Sequence, residues 1–148
     1  MNQKIRKQFE QIDIYAKKED SLFQQTSKRI GITNATLYIL IYLYRSIEPC
    51  SQNDIVENWF FPKQTVSFTI NKLVEQNLVY MTPIENSKNK KAIKLTDEGI
   101  EYCEEHIVPV IHAQEEAFLS LTDKEREAFV HVTNKYYQLL QKNLKHID

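Results

Sequence analysis

Only two glycines, Gly31 and Gly99, occur in 148 residues. Glycine enters the left-handed backbone region at no steric cost, so tight turns, bulges and phosphate-cradling loops draw on it. So short a supply, with only four prolines, leaves sandwiches, glycine-rich phosphate loops and flexible low-complexity linkers poorly supported. Hydrophobic residues at 42% and aromatics at 11% supply a sizeable core, and the length suits one ordinary domain. The chain is expected to be mainly α-helical, a single domain over 1–148.

Hydrophobic spacing locates the helices. Ile5, Phe9, Ile12, Ala16, Phe23 and Ile30 recur at helical steps, which predicts one long amphipathic helix over 3–29 ending at Gly31. Thr33 is a good N-cap for a second helix burying Leu37, Leu40, Ile41 and Tyr44 ahead of Pro49. Ser51 with Asp54 resembles a capping box for a short third helix over 52–59, and Pro62 stands where a fourth would begin and run to Gln76. Turning about 100° per residue, Val66, Ile70, Leu73 and Asn77 share one face of the fourth helix, while Gln64, Phe68, Asn71 and Glu75 share the opposite one. The β-prone runs Leu78 to Met81 and Ala92 to Thr96 flank a polar stretch with Lys88, Asn89, Lys90 and Lys91, a hairpin with a basic tip. Thr96 opens a fifth helix expected to reach Leu119 with a kink at Pro109, and Thr122 with Glu125 caps a last one striped by Phe129, Val132, Tyr136, Leu140, Leu144 and Ile147.

Charge is unevenly spread. Residues 1–50 carry eight basic and five acidic side chains, 51–96 six and four, and 97–148 five and eleven. The net charge of -1 argues against a general polyanion binder, yet a local basic surface still attracts phosphate over a Debye length of roughly 8 Å. Cys50 and Cys103 match no metal or redox spacing, the start has no apolar signal core, and the longest oily run, Leu37 to Tyr44, falls far short of the roughly 20 residues that span a bilayer. A soluble cytoplasmic protein without membrane association is expected.

Three helices and a hairpin over 33–96 is the layout of a winged helix-turn-helix, whose second motif helix enters the DNA major groove. The outward side of 62–76 suits that task. Lys63 and Lys72 neutralise phosphates, Gln64 and Asn71 pair with an adenine edge, and Thr65, Ser67 and Phe68 touch phosphates or a thymine methyl. An outward phenylalanine costs solubility, so either Phe68 reads a methyl or the helix phase is shifted and it is core. Lys88, Lys90 and Lys91, with Asn89, would follow the backbone or enter the minor groove, and Ser51 and Gln52 complete the candidate set. Double-stranded DNA is the expected partner. The long apolar stripes at both ends, 1–31 and 97–148, lack enough partners within one chain and predict a helical dimerisation region and a homodimer.

The strings Ser51-Gln52-Asn53-Asp54-Ile55, Pro62-Lys63-Gln64-Thr65-Val66, Asn71-Lys72-Leu73, Leu78-Val79 and Ile93-Lys94-Leu95-Thr96-Asp97-Glu98-Gly99 resemble the MarR-type winged-helix transcriptional regulators. The resemblance covers essentially the whole chain, and Leu-Thr-x-x-Gly after a basic hairpin is its most specific part. It implies a dimer of terminal helices holding two winged modules on a pseudo-palindromic operator, and in many members repression released by a small ligand or thiol oxidation. The family commonly has an Asp and Arg pair at the wing. Ser87 to Lys91 has neither, and lysine lacks the planar arginine fork, so minor-groove reading should be weaker.

Glu105, His112 and Glu116 share a helix face beside Cys103 and His106, but Pro109 disturbs the phase, and a hydrated acidic helix is expected instead of a metal site. Glutamates flank both cysteines and discourage the thiolate a redox switch needs. Tyr38, Tyr42, Tyr44, Tyr136 and Tyr137 either line an aromatic-effector cavity or form core and interface. No nucleophile-base arrangement, phosphate loop or paired-carboxylate motif appears, so neither an enzyme nor a cofactor is expected. A DNA-silent interaction module would have no need of the polar face from Gln64 to Lys72.

Overall fold

The computed structural model describes residues 1–147. In chain order the elements are α1 (Gln3–Ile30), α2 (Asn34–Arg45), β1 (Cys50–Ser51), α3 (Gln52–Trp59), α4 (Lys63–Glu75), β2 (Val79–Pro83), β3 (Lys91–Leu95), α5 (Asp97–His106), α6 (Val108–Leu119) and α7 (Asp123–Leu144). They divide into two compact units, Met1–Pro109 and the segment from Val110 onward. Asp148, the end of the expected helical region, lies outside the described residues.

The first unit is organised around α2. Leu37, Ile39, Leu40, Ile41 and Leu43 are buried on several sides of it, because α1, α3, α4, α5 and β3 all pack against this one helix. Cys50, Ile55, Val66, Ile70, Leu73, Val79, Ala92, Ile93, Cys103 and Ile107 complete the core of this unit. Full burial of each large aliphatic side chain contributes about 1.5–3 kcal/mol to the stability of the unit. Tyr44, expected inside, is 36% exposed near the end of α2, and Ile39 and Leu43 are buried instead.

Helix starts follow the side chains that cap them. The Asn2 Oδ1, Thr33 Oγ1 and Thr96 Oγ1 atoms accept the backbone N–H groups of Ile5, Thr36 and Gly99. Ser51 and Asp54 form a reciprocal capping box at α3, as do Thr122 and Glu125 at α7. Helix α1 stops at Gly31, which takes φ 84°, and the Ile32 N–H turns back to the Ser27 carbonyl. Buried Ser27 then contacts Asn34 Oδ1 at 3.0 Å, tying α1 to α2.

Several details differ from expectation, among them the hairpin strands, which run Val79–Pro83 and Lys91–Leu95. Pro62 is the N-cap of α4 and not its first helical residue, so no side chain caps that terminus. Helix α4 ends at Glu75, Asn77 adopts a left-handed φ of 57° and is exposed, and Thr69 takes the inward place expected of it. The wing is a three-stranded antiparallel sheet in the order β1-β3-β2, with Cys50 opposite Ile93 and Val79 opposite Leu95. The helix expected through Leu119 is two helices, separated at Ile107, ahead of the proline that lacks an N–H for the ladder.

In the second unit, the turn between α6 and α7 is fastened by Arg126, whose guanidinium donates to the Leu119 and Leu121 carbonyls and to the Asp123 carboxylate. No residue of α7 is buried, and Phe129, Val132, Tyr136, Leu140 and Leu144 of its predicted stripe are all exposed. Ile147, the last of that stripe, lies past the helix end. Among the described residues no helix is long and apolar enough to cross a membrane.

The closure of the wing depends on Gly99. A Cβ there would stand 1.9 Å from the Leu78 carbonyl oxygen and 2.9 Å from its carbon, both backbone atoms that cannot swing away. Gly99→Ala should therefore destabilise the protein by about 3 kcal/mol or more. Urea denaturation checks this, and an unshifted midpoint would contradict the close approach.

Candidate nucleic-acid interface

Ser51 joins two elements at once. As the last residue of β1 it pairs with Ala92 of β3, and as N-cap of α3 it accepts the Asp54 N–H at 3.2 Å. Asp54 Oδ2 accepts in return from the Ser51 N–H and hydroxyl, both at 2.8 Å. Those bonds, with a further contribution from the nearby Lys90 ammonium, hold the Asp54 carboxyl below its ordinary pKa. The start of α3 is thereby fixed beside the wing.

The consequence is a groove of about 310 Å³ lined by Ser51, Gln52, Asn53, Val56, Lys63, Met81, Asn89, Lys90 and Lys91. Six of the sequence-predicted residues meet here, from the first turn of α3, the first residue of α4 and the wing. Asn53, Met81 and Val56, the last expected inside the third helix, were not foreseen. Asn53 follows Gln52 into the first turn of α3, and Met81 lies opposite Ile93 on β2, so helix and strand phase would have pointed to both. Asn53 donates to Glu57 at 3.0 Å.

The remaining candidates lie along α4 and at the wing. Gln64, Phe68, Asn71 and Lys72 are exposed, Thr65 and Ser67 are half-buried, and Val66, Thr69, Ile70 and Leu73 face inward. The helix phase is thus as expected, and Phe68 is not core. Lys88 is exposed in the wing loop but does not line the groove. The loop is held by Ser87, whose Oγ accepts the Lys90 N–H at 3.3 Å, and by the Ile84 N–H donating to the Lys90 carbonyl at 3.0 Å. A helix N-terminus without a side-chain cap, a lysine as its first residue and lysines across a groove make an arrangement suited to anionic oxygens.

The other candidate chemistries resolve differently. Burial, and then the Asp54 carboxylate, pushes the Cys50 thiol up to about 11, against a smaller lowering by its hydrogen bond with Tyr42. Burial alone takes Cys103 to about 12. The thiols are held protonated by desolvation, not by the flanking glutamates. Among the described residues no group of three or more His, Cys, Asp or Glu side chains is placed to hold a metal ion. Tyr38 and Tyr42 pack on Trp59 at ring separations of 5.3 and 6.1 Å, and Tyr136 and Tyr137 are exposed on α7.

A helix pair ending in an outward-striped helix and followed by a basic wing defines a winged helix-turn-helix protein. The sequence pattern of the MarR family matches residues 30–88, from the end of α1 into the wing loop. The uncharacterized HTH-type transcriptional regulator YwoH of Bacillus subtilis is 30% identical over 99 residues, spanning 67% of this chain and 72% of the relative. Among solved structures, a MarR family regulator from Neisseria meningitidis superposes with a TM-score of 0.78 at 21% identity, covering 98% of both chains. Staphylococcus aureus MepR in DNA-binding conformation gives a TM-score of 0.72 at 25% identity, covering 92% of this chain and 98% of that one. The chain belongs to the MarR family of transcriptional regulators.

With both thiols buried and protonated, native protein at pH 7 should react slowly with a chromogenic disulfide reagent and rapidly once unfolded in urea. Fast stoichiometric labelling of the native protein would contradict the assignment.

Proposed function

We infer that the protein is a sequence-specific DNA-binding regulator that acts as a homodimer, with α4 as its major-groove helix and the wing lysines on the flanking backbone. The observation that carries this reading is the division of labour on one surface. A stripe with two amide side chains runs along α4, and lysines gather around the groove between α3, α4 and the wing. Amides supply the paired donor and acceptor that a base edge demands, whereas ammonium groups supply charge without that geometry. The matched MepR structure, in its DNA-binding conformation, supports the same reading by likeness.

Dimerisation is inferred from apolar surface that the single chain leaves open. On α1, Ile5, Phe9, Ile12, Ile14, Tyr15 and Leu22 are each 48% or more exposed, and α7 exposes its own stripe. Obligate interfaces commonly bury more than about 2,000 Å², and long helices of this kind supply such area. The expected reading as a repressor of a pseudo-palindromic operator, released by a small-molecule effector, rests on family membership, whereas the division into a winged module over 33–96 and helical dimerisation segments rests on the order of helices and hairpin and on the open apolar stripes.

Selection of bound sequences from a random duplex pool should return two half-sites related by a two-fold axis, and sedimentation at micromolar concentration should give the mass of two chains. A single-chain mass, or no enrichment and no duplex retention at low salt, would sink the proposal.

A second measurement separates helix from wing. Gln64→Ala or Asn71→Ala should cost about 1–3 kcal/mol on the selected operator and less on random DNA. Replacing Lys88, Lys90 or Lys91 by Ala should weaken both DNAs alike and reduce the salt slope by about one unit for each phosphate no longer neutralised. Competition titrations at several salt concentrations decide it; wing variants that altered base preference would reverse the roles.

A further inference from the structure

Phe68 is 63% exposed in the middle of α4, with Gln64 four residues before it and Asn71 three after it on the same outward side. The inward face is complete without it, since Val66, Thr69, Ile70 and Leu73 are all buried. Nor is the ring loosely placed. Lys72, one turn on, holds its Nζ 5.0 Å from the ring centroid, where the ring quadrupole attracts an ammonium. That contact restrains both side chains before any partner arrives, so a contact made by the ring loses less entropy.

We propose that Phe68 is a specificity-determining residue that recognises the C5-methyl group of a thymine in the major groove. The inference rests on the DNA-binding reading above. In that groove adenine, guanine and cytosine present hydrogen-bonding nitrogens and oxygens, whereas thymine adds a methyl. A phenyl ring pressed on a polar edge would strip its water and return no hydrogen bond, which is unfavourable. Pressed on a methyl, it removes apolar surface from water on both partners. Gln64 and Asn71 fix the frame by pairing with neighbouring edges, and Lys72 neutralises a phosphate while it covers the ring. The operator should therefore carry a thymine between the base pairs that the two amides read.

Thymine-to-deoxyuridine exchange tests this, because it deletes the methyl and leaves every hydrogen-bonding group in place. Each thymine of the selected operator is exchanged in turn, and affinities are compared for the wild type, Phe68→Ala, Phe68→Leu and Lys72→Gln. At one position per half-site the exchange should weaken wild-type binding about fourfold, the worth of one buried methyl. The same exchange should cost nothing in Phe68→Ala and an intermediate amount in Phe68→Leu. Lys72→Gln should weaken thymine and uracil duplexes, the thymine duplex more, because the restraint on the ring is lost together with the phosphate contact. An operator insensitive to every exchange, or an exchange cost of equal size in Phe68→Ala, overturns the assignment to Phe68 and leaves the DNA-binding reading standing. Failure of the wild type to select or retain any duplex overturns both. Circular dichroism and random-duplex affinity confirm that Phe68→Ala is folded; should it not be, the wild-type and Phe68→Leu scans decide the matter.

Discussion

The backbone carbonyl of Leu78 accepts the Thr96 N–H at 3.1 Å, while the Thr96 hydroxyl donates to the Asn77 carbonyl at 2.6 Å and accepts the Gly99 N–H at 2.9 Å. Three segments meet at this point: the chain leaving α4, the end of β3 and the start of α5. The Leu78 N–H also turns back to the Leu73 carbonyl at 2.9 Å, so the knot is continuous with the last turn of α4. The wing thus starts and ends on the helix proposed to read DNA. Its register with α4 is set by backbone hydrogen bonds and not by the long lysine side chains that it carries. The motif Leu95-Thr96-Asp97-Glu98-Gly99 has a physical reading: threonine caps α5 and bonds the preceding turn, and glycine leaves room for a carbonyl.

From that knot β3 runs as the central strand of the wing sheet, with β1 on one side and β2 on the other. The short β1 is two residues long, yet it converts α3 into a neighbour of the wing because Ser51 belongs to both strand and helix cap. The basic groove follows from that double membership. If the wing were a free hairpin, Lys90 and Lys91 would be solvated charges with no fixed relation to Gln52 or Lys63.

Much of this was legible in the sequence for local reasons. Thr33, Ser51 with Asp54, Thr96, and Thr122 with Glu125 each cap a helix within three residues, so composition at those points sufficed to place four helix starts. The inner and outer sides of α4 were readable from helical period alone. What escaped depended on distant pairing or on backbone torsion. Cys50 and Ser51 carry no strand signal of their own and become a strand only because β3 lies alongside. Phe60, Asn77 and Asn86 take positive φ without glycine, and for Phe60 no local rule announces it. Both thiols have raised pKa values, the direction that their glutamate neighbours suggest, but for a different main reason. Desolvation by the core dominates, and a one-dimensional count of neighbouring glutamates does not register it. Which expected candidates are exposed on α4 could be read from helical period, whereas the groove also takes in Asn53, Val56 and Met81, which are brought together by packing.

The rings of Phe23, Tyr38, Trp59 and Phe61 join α1, α2, α3 and the turn that precedes α4, with Tyr38 within 6.0 Å of each of the other three. Trp59 is the chain's single tryptophan, whereas eight tyrosines are spread along it. Indole emission from the native protein therefore originates at one point, the junction of α1 and α2 with α3 and the turn that precedes α4. Tyr38 and Tyr42 are close enough to pass excitation energy to that indole. The molecule carries its own optical gauge of this junction, so a rearrangement that shifted α1 against α3 and α4 would change the colour or yield of one fluorophore without any label being attached.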